Sequence, residues 1–187
     1  MLTSVRILGG IVLLALAVGH LVNPAPVPAA TAAEIDRDVT AALKSLFEST
    51  PKAKELAEKA KGVLVFPSIM KAGFMVGGQY GEGALRRGDK TVGYYNTAAA
   101  SYGLQAGAQI YGYALFFMTD SSLKYLDQSQ GFELGTGPSL VLVDEGFAKK
   151  LSTTTLRSDV YAFIFSQKGL MGGIGLQGTK ITRINPK

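Results

Sequence analysis

The sequence predicts an α+β fold, with N-terminal helices packed on a largely antiparallel, curved, Gly-rich β-sheet or a barrel-like core. Three observations predict it. Apolar residues recur at helical spacing near the start of the chain and once near its middle. From Gly62 onward the chain turns into runs rich in Val, Ile, Tyr and Phe, separated by turn residues. The 23 glycines in 187 residues recur inside those runs, where glycine permits bends or close backbone approach. A chain of this length suits one domain with a real core.

The elements follow in order. Met1 to Arg6 is a short positive segment, Ile7 to Val22 an apolar run, and Pro24 to Ala33 a Pro/Ala stretch with small-residue cleavage options after Ala32 or Ala33. The run is shorter than the roughly 20 apolar residues that span a bilayer. A signal peptide over 1–33 and an exported, periplasmic or secreted domain over 34–187 are therefore expected, with a retained N-terminal anchor as the rival reading. Ile35, Val39, Leu43, Leu46 and Phe47 then give an amphipathic helix from Glu34 to Ser49, with Glu34, Asp36 and Asp38 where the helix dipole favours acids. Thr50-Pro51 starts a second, shorter helix carrying Ala53, Leu56, Ala57 and Ala60, and Gly62 stops it. Strands are expected over Val63–Phe66, Gly73–Leu85, Thr91–Tyr95, Tyr102–Met118, Phe132–Val143, Asp159–Phe165 and Leu170–Ile181, with a hairpin turn at Arg87-Gly88-Asp89. One helix interrupts them, with Asp120 as N-cap, Leu123 and Leu126 facing inward and Gly131 past its end.

Composition narrows the chemistry. The chain has no Cys, and its one His, His20, lies in the expected leader. Ser-His-Asp and Cys-His nucleophilic sites, His or Cys zinc centres and disulfides are thereby ruled out of the exported part. No metal or other cofactor is expected. Loss of Arg6 with the leader leaves 18 basic against 14 acidic residues, a mild net charge of +4 that suits anionic lipid or polymer partners.

The glycine motifs do not read as phosphate loops. Residues 62–83 lack a Gly-Lys-Ser/Thr ending and open no helix, so the N-terminal helix dipole that draws phosphate is missing. Gly173-Ile174-Gly175-Leu176-Gln177-Gly178 matches G-x-G-x-x-G in letters but has no βαβ context. Instead, Gly-apolar-x-x-Gly recurs at 73–77, 103–107 and 169–173, pointing to one strand geometry used several times. Asp144-Glu145 and Glu82 are the acids available for paired-carboxylate chemistry, of which Glu82 stands out among small residues in Tyr80-Gly81-Glu82-Gly83. No dense Arg/Lys-aromatic stripe of the nucleic-acid kind is present, and no nucleic-acid partner is expected. Basic residues gather at Lys52, Lys54, Lys59 and Lys61 on the second helix, at the Arg86-Arg87-Lys90 turn, and at Lys71 and Lys168 just before two of the glycine strands.

Gly62-Val63-Leu64-Val65-Phe66-Pro67, Lys71-Ala72-Gly73-Phe74, Gly77-Gly78 and Tyr80-Gly81-Glu82-Gly83 resemble the start of the SYLF domain. The likeness continues through Asp120, Phe132-Glu133-Leu134-Gly135, Ser139, Gly146, Tyr161 to Ser166, and Lys168-Gly169-Leu170 with Gly173 and Gly178. The resemblance implies a non-enzymatic module that binds anionic or phosphoinositide-containing membranes; some yeast members also bind and bundle actin, a partner not expected for an exported chain. The first helix carries a net −2 charge and the second +2, so headgroup contact is assigned to Lys52, Lys54, Lys59, Lys61, Lys71, Arg86, Arg87, Lys90 and Lys168. The alternatives are an envelope structural or protein-interaction module without lipid specificity, and a carboxylate enzyme built on Glu82.

Overall fold

The computed structural model describes residues 29–128, 132–133, 137–143, 157–169 and 179–187, with backbone alone at 75, 101–106 and 132–133. The expected leader up to residue 28, Asp144-Glu145 with Gly146, and Leu170 to Gly178 with their G-x-G-x-x-G lie outside the described residues.

Helix α1 (Ala32–Ser49) starts earlier than the apolar spacing suggested, because its cap is polar. Thr31 accepts from the Glu34 amide and Glu34 reaches back to the Thr31 amide, a capping box that satisfies two otherwise orphaned donors. The expected leader boundary at Ala33 thus falls inside α1. Ile35, Val39 and Leu46 form its buried stripe. Helix α2 (Pro51–Ala57) begins on the proline, whose fixed φ suits a first helical turn, and buries Ala53 and Leu56.

Strands β1 (Gly62–Arg87) and β2 (Lys90–Phe117) form one long antiparallel ribbon. The sequence suggested breaks near Pro67 and between Tyr95 and Tyr102; the backbone instead runs through both. Pro67 donates no hydrogen bond, and the ribbon accommodates it at a register shift between Phe66 and Ile69. The turn is two residues long, with Gly88 at φ 58°, the positive value that tight hairpins require at this point. Helix α3 (Asp120–Gln128) takes its cap from Thr119, whose hydroxyl accepts from the Ser122 amide at 3.2 Å, so Asp120 is the first helical residue and not the cap.

The stretch expected as one strand from Phe132 to Val143 is divided into β3 (Phe132–Glu133) and β4 (Leu140–Val143). Strand β5 (Val160–Gly169) runs four residues beyond its expected end, and β6 (Lys180–Ile184) covers the end of the chain. β6 and β5 share the edge of β2 opposite β1, β6 pairing with residues 94–98 and β5 with residues 109–117. β3 and β4 lie outside them, and β4 pairs with β5 in parallel. Among the described residues the sheet stays open, so the barrel-like alternative gives way to a curved sheet.

Both faces of the central strands are buried, which is why they read as unbroken apolar runs. Leu64, Phe66, Tyr111, Tyr113, Leu115 and Phe117 point into one cluster with Leu123 and Leu126 of α3. Their neighbours Val63, Val65, Ala114 and Phe116 point to the other face, against Ile35, Val39, Leu46 and Leu56 of α1 and α2.

Candidate functional site

The ribbon is not straight: it folds back over itself, and the glycines make that possible. A β-carbon on Gly83 would overlap the carbonyl oxygen of Val65; one on Gly81 would lie 2.7 Å from Ile69 Cγ1; one on Gly73 would overlap Gly77. These contacts pair 83 with 65, 81 with 69 and 73 with 77, so the two halves of β1 run back along each other about a bend centred on residue 75. β2 bends with it, since Phe74 pairs with Ala106 and Val76 with Tyr102 across a register shift.

The fold-back gives the molecule two ends, roughly 35 Å apart for the eleven residue-to-residue steps from Gly62 to Gly73. The base holds α1, α2 and the β1–β2 turn. Here Asp36 accepts from Thr91 Oγ1 (2.6 Å) and Tyr94 Oη (2.9 Å), while Arg86 Nη2 donates to the Asp36 carbonyl (3.0 Å) and to Thr40 Oγ1 (3.1 Å) and Nη1 to the Asp89 carbonyl (3.1 Å). A hollow of about 580 Å³ lies beside this tie, lined by Leu43, Phe47, Lys54 and the turn.

The apex carries Met70, Phe74, Val76, Tyr80 and Ile110, exposed by 61, 74, 58, 49 and 43 %. Ala72 to Gly81 and Thr91 to Thr119 contain no charged residue. Beside the apex, Glu82 accepts from the Ala30 amide (3.1 Å) and from Tyr80 Oη (2.8 Å), closing the end of a hollow of about 880 Å³ lined by Ile35, Pro67, Met70, Ala72 and Tyr80. Burial, with hydrogen bonding to Glu82 added, holds the Tyr80 phenol above its ordinary pKa. Behind the apex, a buried polar chain runs from Tyr111 Oη to Gln79 (2.9 Å) and from Gln79 to Thr179 Oγ1 (3.0 Å), fixing the residue before β6 against both halves of the ribbon.

The basic residues singled out in the sequence do not form one patch. Lys52 pairs with Glu55 at 2.6 Å and Lys61 lies 3.6 Å from Asp120; these two, Lys54, Lys59, Arg87 and Lys90 belong to the base. Arg86 is 15 % exposed and spent on the α1 tie, and Lys71 is 8 % exposed, so both are corrected from headgroup contacts to internal positions. The reason is the same for each: in a strand buried on both faces, alternation does not say which side chains reach water. Lys168 is exposed and stands across from Ile110 near the apex. Of the acids, Glu82 keeps both oxygens occupied by neighbours, and among the described residues no group of three or more His, Cys, Asp or Glu is placed to hold a metal ion.

Sequence reasoning missed Lys180 and the exposed apolar set. Lys180 is exposed and pairs with Ala98, which pairs with Tyr80, so it flanks the other limb of the folded ribbon. Phe74 entered the sequence reading only as part of a motif; nothing in its neighbours distinguishes an apex from a core strand.

Comparison with known proteins bears on identity at this point. Residues 98–185 match the family model described as Ysc84, Las17-binding protein actin regulator, a stretch that covers most of β2 and all the elements after it. No curated protein matches the chain. The motifs from Gly62 to Gly83 and the match over 98–185 point the same way: residues 98–185 carry the family match, and the chain is consistent with a SYLF domain family member.

Proposed function

We propose that this chain is a non-enzymatic, exported protein that docks reversibly on anionic phospholipid surfaces. The observation that carries the reading is the apex: five large exposed apolar or aromatic side chains, four of them on strand segments without charge. Contiguous apolar surface of this kind marks membrane or protein contact sites. Burying Phe74, Met70 and Val76 supplies about 2 kcal/mol each, and a lysine near an anionic surface adds about 1 kcal/mol. That suffices for reversible docking once the entropy of association is subtracted.

The chain offers neither thiol nor, outside the expected leader, imidazole, which supports the non-enzymatic reading. Co-sedimentation with vesicles of phosphatidylcholine plus phosphatidylglycerol tests it. Binding that exceeds that to pure phosphatidylcholine and weakens with salt is expected; equal or absent binding to both at low salt contradicts it. The second reading, a protein-interaction module, takes support from the family model's description as a Las17-binding actin regulator. A saturable protein partner whose binding ignores lipid and salt would favour that reading.

A further inference from the structure

We infer that docking is end-on: the apex of the folded ribbon enters the bilayer interface, and Lys168 and Lys180, one on each limb, contact lipid phosphates. The inference rests on the lipid reading above and adds which end of the molecule binds and through which residues.

The fold-back supplies the geometry. Met70 and Tyr80 lie at equal distances either side of residue 75, and Ile110 and Ala98 at equal distances either side of residue 104, so the two limbs leave the apex as a matched pair. On the outer edge of β2, Lys168 stands opposite Ile110 on one limb and Lys180 opposite Ala98 on the other. Both lysines are exposed. Phe74 and Val76 lie closer to the bend than either lysine's partner, and Phe74 is the most exposed of the five apolar side chains.

The order from the tip is therefore apolar, then mixed, with Met70, Ile110 and Tyr80 level with the two lysines, which matches the passage of a bilayer from acyl chains to headgroups. Tyrosine suits the boundary because its ring is apolar and its hydroxyl wet, and a lysine stem lies along apolar surface while its ammonium reaches phosphate. Ala72 to Gly81 and Thr91 to Thr119 carry no acid; Glu82 beside them is tied to Tyr80 and Ala30, and Glu133 of β3 stands opposite Lys180 in the register. The base is a poorer contact, since Lys52 and Lys61 are paired with acids and Glu48, Glu58 and Asp89 share its hollows.

The test compares two charge-altered variants of the full chain on the same phosphatidylglycerol-containing vesicles. Lys168→Glu with Lys180→Glu removes both apex cations, and Lys52→Glu with Lys59→Glu removes two at the base. The apex variant is expected to lose more than tenfold in affinity, since each neutralised lysine accounts for about fivefold. The base variant is expected to stay within about twofold of the unaltered chain. Phe74→Ser, at a side chain 74 % exposed, is expected to cost about tenfold with an unchanged melting temperature. The opposite pattern, with base charges needed and apex residues dispensable, overturns end-on docking and leaves the lipid reading standing. Failure of the unaltered chain to bind acidic vesicles at low salt overturns both.

Discussion

At Gly83 the nearest atom to a missing β-carbon is the carbonyl oxygen of Val65, a backbone group that cannot swing aside. Gly83→Ala is expected to cost about 3 kcal/mol, read as a lower urea midpoint, because it prises apart the two halves of β1. Gly78→Ala lies in the same glycine-rich stretch but meets only Ala99 O at 3.6 Å, and is expected to stay within about 0.5 kcal/mol. The sequence showed that glycine mattered between 62 and 83; it did not show which glycines, since that depends on contacts between residues 4 to 18 positions apart. Tyrosine gives a second test at this scale. Burial pushes the Tyr111 phenol up to about 12, and raises Tyr95 and Tyr113 as well, with hydrogen bonding to Asp127 adding to the effect at Tyr95. Unfolded phenols ionise near about pH 10, so above that pH the unfolded chain sheds protons that the folded one keeps, and stability falls as pH rises. The urea midpoint is expected to hold below about pH 10 and to drop above it, with these phenols ionising only as the fold opens.

The helices were the most legible elements, because an apolar stripe at 3.6-residue spacing belongs to one segment and needs no partner to be read. Their ends were less so: Thr31 and Thr119 cap through side chains that lie outside the apolar pattern. The strands were found but cut too short, since Pro67 and the small polar stretch after Tyr95 look like breaks when the partner strand that carries them is not in view. What joins α1 to the sheet was also hidden, as Asp36 and Arg86 are 50 residues apart in sequence. This tie makes a prediction about elements. Asp36→Ala strips the acceptor from Thr91 and Tyr94 and is expected to cost about 2 kcal/mol and loosen α1, seen as faster amide exchange in that helix. Lys44→Ala, exposed on the same helix, is expected to leave stability and exchange unchanged.

For the molecule as a whole, composition and motifs led to the α+β class and to the family whose model matches residues 98–185, and most of the basic residues expected to contact lipid lie at the end away from the exposed apolar set. Charge was read residue by residue along the chain, and six of its nine assigned contacts, Lys52, Lys54, Lys59, Lys61, Arg87 and Lys90, fold to the base, where acids accompany them. The apex comes from the fold-back alone, which exposes Phe74 and sets Lys168 and Lys180 on its two limbs. That separation of ends is the central claim, and the absence of tryptophan from the chain allows a direct measurement of it. Phe74→Trp places one indole at the apex and Phe47→Trp, made separately, places one at the base hollow. On vesicles containing phosphatidylglycerol, the account predicts a blue shift and quenching by lipid-borne quenchers for the indole at 74, with the indole at 47 unchanged. Quenching at 47 with none at 74 would contradict it.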